Sequence, residues 1–161
     1  MATPFVPDGS GPFAHLCRTL GGRDSSAAVR VRVGAADLRS MRRVLHVESS
    51  EVAAPLRCVV RSAAEANRVL PGVTADPRGQ VGSVDFAREM VLAASSGTQP
   101  NTGHDILIDA VWMRGDTVIA RVRRLQPADG EPVGQMRVTP LDAVAIPRSA
   151  GPVVFLEALH P

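Results

Sequence analysis

The sequence predicts a mainly β (α+β) domain, an antiparallel β-sandwich or open barrel carrying one or two short helices. Three observations predict it. Apolar and polar residues alternate in short runs, most cleanly at Val29-Arg30-Val31-Arg32-Val33. Turn-forming residues punctuate those runs, as at Arg114-Gly115-Asp116 and across 126–134. From Val84 to the end the chain carries strand-like periods only. With 161 residues, 45% of them hydrophobic and 21% charged, the chain can bury a core without disulfides.

Residues 1–26, rich in Pro and Gly, read as a flexible lead-in with a short apolar island at 13–20. Residues 27–161 read as a single domain. Val29, Val31 and Val33 alternate with arginines and predict a half-buried strand. Leu38, Met41 and Leu45 recur at three- and four-residue steps and predict a short amphipathic helix over 35–45. Residues 57–61 form a second strand with Cys58 and Val60 on one face. Ser62-Ala63-Ala64-Glu65 then has the form of a capping box. The Ser62 hydroxyl accepts the Glu65 N–H and the Glu65 carboxylate reaches back to the Ser62 N–H. Pro71-Gly72 ends that helix.

Residues 76–82 form a polar loop. Residues 84–94 are apolar on both faces in their later half, as a central strand requires. Ile106, Ile108, Ala110 and Trp112 share one face of the next strand, with Asp105 and Asp109 on the other. A tight turn at Gly115 returns the chain through 117–125, and Asp109 faces Arg121 across the hairpin. Residues 135–146 read as a long strand interrupted by Pro140, an edge or bulge position. Residues 153–159 form the last strand.

Composition narrows the function. All 18 basic residues are Arg, there is no Tyr, and aromatics make up 3%, a pattern expected from a GC-rich genome. The arginines are interspersed with 16 acidic residues, without the basic face and stacking aromatics of a nucleic-acid binder. Apolar runs fall far short of the ~20 residues that span a bilayer, and no signal peptide is visible at the start. No nucleophile elbow or phosphate loop occurs, and the four histidines stand singly, so neither catalytic nor metal-ligating residues and no cofactor are expected. Asn101-Thr102-Gly103 is like the Asp-Thr-Gly turn of aspartic proteases with an amide in place of the acid, which cannot share a proton with a second carboxylate. Cys17 and Cys58 suit a disulfide in an oxidising compartment, whereas the position of Cys58 on an apolar face suits a small core residue.

The stretch richest in information joins two strong strands through turn-forming and polar residues. Thr98, Gln99, Pro100, Asn101, Thr102, Gly103 and His104 form this loop and are the candidate partner-binding residues. Asn101 and Gly103 are expected to supply positive φ angles there, and His104 is expected near the surface.

Val84-Asp85-Phe86, Met90-Val91-Leu92, Gly97, Pro100, Thr102-Gly103 and Ile106 occur in an order that resembles the C-terminal domain of the protease complex subunit PrcB family. Gly115, Pro127 with Gly130, Gln135, Thr139-Pro140 and 153–155 continue the pattern, and the resemblance covers residues 57–157. His104 stands where the family has Tyr, and the helix lacks the family's Trp. The resemblance implies a non-enzymatic protein-binding module, an accessory or stabilising subunit of a secreted or envelope protease complex, with a protein partner that would be a protease. It also implies an extracytoplasmic location, with a cytoplasmic one left open by the missing signal peptide. The loop alone is similar to the Asn-Pro-Thr-Thr-Gly loop of chagasin-type cysteine-protease inhibitors. That likeness implies an alternative in which the 98–104 loop inserts into a protease cleft.

Overall fold

The computed structural model describes residues 2–4, 40–70 and 80–160. Among the described residues, eight strands and one α-helix follow in order: β1 (Ala2–Pro4), β2 (Arg42–Val47), β3 (Pro55–Val60), α1 (Ala63–Val69), β4 (Glu89–Ser96), β5 (Asp105–Arg114), β6 (Thr117–Leu125), β7 (Leu141–Pro147) and β8 (Val153–His160). They make two four-stranded sheets, ordered β1-β8-β6-β5 and β2-β7-β4-β3. The sheets face each other as a sandwich and do not close into a barrel. The strand read at 29–33 lies outside the described residues, as does the lead-in apart from β1.

Two cores follow from the strand pattern. Met90, Leu92, Ala94, Val144 and Ile146 meet Ile106, Ile108, Val122 and Phe155 between the sheets. The alternate residues of the same central strands, Val91, Ala93, Leu141, Ala143 and Ala145, face away and pack with Ala66, Leu70, Val81 and Val84. β4 and β7 are therefore apolar on both faces, as residues 84–94 anticipate. Cys58 and Val60 lie in the second core, on one face of β3.

The helix is capped nearly as its sequence anticipates. Ser62 Oγ accepts the Glu65 N–H at 3.1 Å. The reciprocal bond falls one residue earlier than expected: the N–H of Arg61, not of Ser62, donates to Glu65 Oε2 at 2.6 Å.

Three expectations are corrected. Residues 42–45 of the segment read as a helix over 35–45 belong to strand β2; the rest of that segment is undescribed apart from 40–41. The strand carries a register shift between Arg43 and Leu45. A bulged strand brings residues three apart onto one face, as a helix does, so Arg43 and His46 point the same way.

A second shift, between Ile108 and Ala110, leaves Asp109 as the extra residue of β5. Ile106 and Ile108 face the inter-sheet core, but after the bulge Val111 and Met113 do. Trp112 is thereby turned to the other face, where it pairs with Ile119, and both are buried.

The strand read over 135–146 is confined to β7. Pro140 precedes it, and β7 is central rather than an edge. Among the described residues β8 runs parallel to β6 and the other strand pairs are antiparallel, so one sheet of the sandwich is mixed. The hairpin stands as read: β5 and β6 join through Gly115 at φ 62°. Arg121 Nε donates to Asp109 Oδ1 at 2.7 Å.

Candidate functional site: the loop between the sheets

The 98–104 loop carries the chain from β4 in one sheet to β5 in the other. Its entry is set by Gly97, whose φ is +69°. A Cβ there would lie 2.8 Å from Pro55 Cδ and 2.9 Å from the Ala53 carbonyl oxygen, so glycine is required on both dihedral and steric grounds. The Thr98 N–H then donates to the Ala53 carbonyl at 2.9 Å.

From Gln99 onward the loop is fastened to the segment before β7. Gln99 and Val138 exchange backbone hydrogen bonds of 2.7 and 3.1 Å. The Thr102 N–H donates to the Gly134 carbonyl at 3.1 Å, and the Gly134 N–H donates to Thr102 Oγ1 at 2.9 Å. Asn101 Oδ1 accepts the Gly103 N–H at 3.1 Å and receives His104 Nδ1 at 2.9 Å.

The expected positive φ at Asn101 and Gly103 does not occur. Among the described residues only Gly97, Gly115 and Gly130 have positive φ. Gly103 is needed for room: a Cβ would come within 2.7 Å of Val133 Cγ1 and Pro127 Cβ. Asn101 makes an Asx turn instead of entering the left-handed region.

All seven predicted residues are thus contiguous on one feature, but they divide by role. Asn101, Thr102, Gly103 and His104 are half-buried and hold the loop's shape. Thr98 and Pro100 are exposed at its crest. The fastened segment adds Met136, which is 61% exposed. Residues 135–146 read as a strand, so Met136 appeared as one apolar residue among many, and only its coil placement reveals it. The loop and the 133–138 segment make one surface held by backbone hydrogen bonds, with Met136 as its exposed apolar point.

Beneath the loop's exit lies a polar cluster that sequence reasoning did not assemble. Asp142 of β7 is fully buried on the inter-sheet face. Its Oδ1 accepts Arg43 Nε at 2.8 Å and lies 3.3 Å from His46 Nδ1, while its Oδ2 accepts the Ile108 N–H of β5 at 2.7 Å. Arg43 Nη2 donates to the Ile108 carbonyl at 3.1 Å. Both outward backbone groups of Ile108 on edge strand β5 are therefore taken by side chains of the other sheet, which blocks that edge at Ile108. His46 Nε2 lies 3.3 Å from Asp105 Oδ2, at the first residue after the loop. Burial raises the Asp142 carboxyl above the ordinary aspartate value, opposed by the Ile108 N–H and by Arg43 and His46. The legible signal was one carboxylate inside the apolar run Leu141 to Ile146.

Arg121 and Arg123 both turn toward Asp109, at 2.7 and 3.6 Å, so the basic face of β6 is partly neutralised. Among the described residues, no group of three or more His, Cys, Asp or Glu side chains is placed to hold a metal ion. No described helix is long and apolar enough to cross a membrane. Cys58 is buried, and Cys17 lies outside the described residues.

Residues 90–147 match the family described as PrcB C-terminal. The match runs from β4 through β7 and contains the whole loop and its fastening segment. No curated protein and no solved structure matches the chain.

Proposed function

We propose that this chain is a non-catalytic binding module, the accessory and stabilising subunit of a secreted or envelope protease complex. It engages its partner through the crest of the 98–104 loop and the adjoining Met136. The observation that supports this reading is the PrcB C-terminal match over 90–147, which contains the loop and the segment that holds it. A loop fixed by backbone bonds on both sides loses little conformational freedom on binding, which favours affinity.

The test uses the full chain as bait in its native organism, beside the pair Pro100→Glu and Met136→Glu. Both positions are exposed, so the pair should shift stability by less than about 1 kcal/mol in total. Recovery of a protease by the parent chain, weakened at least about tenfold in the pair, is the expected result. Equal recovery by both would place the contact elsewhere, and recovery of no protease would overturn the subunit reading. The recovered protease is then assayed with added chain. A longer active lifetime fits a stabilising subunit, and loss of activity fits a chagasin-like inhibitor.

A further inference from the structure

His46 stands between two carboxylates from different strands. On one side is Asp142 of β7, on the other Asp105 of β5, each 3.3 Å from a different ring nitrogen. A neutral imidazole carries one N–H and can donate to only one of them; its second nitrogen would turn a lone pair toward the other carboxylate. Only the imidazolium donates to both. The ring is also placed across the seam between the sheets, on an edge strand whose bulge brings Arg43 and His46 to the same side.

We infer that His46 is a proton-operated latch: its imidazolium ties Asp105, and with it the exit of the 98–104 loop, to buried Asp142 in the opposite sheet, and loss of the proton releases Asp105. The groups that face the ring are Asp142 from β7 and Asp105 from β5, with Arg43 of its own strand sharing Asp142 Oδ1. His104, next to Asp105, turns instead to Asn101. The bridge requires the Asp142 carboxylate ionised, which burial opposes and Ile108 N–H, Arg43 and His46 favour. Gain or loss of one ring proton therefore couples the order of the loop exit to the surrounding pH.

The latch is read on the free chain, so its failure leaves the binding proposal untouched. Backbone amide and imidazole NMR signals are followed from about pH 5.5 to 8.5. The Gly103 and Asp105 amides should move with one midpoint, that of the His46 ring, and their exchange should speed roughly two- to fivefold beyond the intrinsic pH effect as the proton leaves. His46→Gln should abolish the shared midpoint, and His104→Gln should keep it. If His46→Gln does not fold, Asp105→Asn decides: the His46 ring still titrates but the Gly103 amide no longer follows it. Loop amides that ignore His46, or that follow His104 and go silent in His104→Gln, would overturn the latch.

Discussion

Arg57 of β3 and Glu157 of β8 form an ion pair in the interior, joining the edge of one sheet to the other. Their side chains are 3% and 12% exposed. Arg57 also donates from Nη1 to the Ser95 carbonyl at 2.7 Å, so the guanidinium is held on several sides. Burial lowers Arg57 from its ordinary value, and Glu157 opposes that. Removing one partner leaves the other charge buried and uncompensated. Glu157→Ala should destabilise the fold by about 3 kcal/mol in urea unfolding, whereas Arg57→Met with Glu157→Leu should recover most of it. A double variant no better than the single one would mean that the pair contributes net stability.

Gly97 and Gly115 both have positive φ, 69° and 62°, but only Gly97 is crowded. Gly115→Ala should cost about 1 kcal/mol, the dihedral penalty alone. Gly97→Ala adds a clash with Pro55 and Ala53 and should cost about 2–3 kcal/mol. Equal losses, measured by denaturation midpoint, would show that the β3–β4 junction yields freely.

The Ser62 cap predicts a local loss. Ser62→Ala should lower stability by about 1 kcal/mol, because the Glu65 N–H loses its acceptor. An unchanged midpoint would mean that the first turn of α1 contributes nothing to the folded state.

Trp112 is 4% exposed, although it lies on the face opposite Ile106 and Ile108. Its emission should be blue-shifted and poorly quenched by iodide. Red, quenchable emission would be incompatible with that burial.

Asp142 predicts a pH dependence with a definite sign. Desolvation raises its carboxyl in the folded chain. A raised acid binds its proton more tightly folded than unfolded. Its stabilising contribution is therefore complete below the ordinary aspartate value of 3.8 and is lost as pH rises through the raised folded value. Asp142→Asn should flatten that part of the stability curve in denaturant titrations at a series of pH values. An unaltered slope would assign it to another group.

Local patterns reach as far as local forces do. The β5–β6 hairpin, the Asp109–Arg121 pair and the Ser62 cap rest on residues within a turn or one cross-strand step. Each is legible in the order of apolar, polar and turn residues. The candidate loop was legible for the same reason: turn-forming residues crowd between two strong strands.

What the sequence determined by itself was the mainly β class, the central character of β4, the hairpin, the capped helix and the position of the loop. The tertiary structure decided the bulges at Val44 and Asp109, the parallel placement of β8 beside β6, and the burial of Arg57 and Asp142. It also decided that Asn101 and Thr102 hold the loop, leaving Thr98, Pro100 and Met136 at its surface. These features join residues far apart in the chain, as Arg43 and Asp142 are, 99 positions from one another. A bulge defeats the period of two, and a charge is stable in the interior only where a distant partner meets it. Neither condition is written in the neighbours of the residue concerned; both arise when two sheets pack.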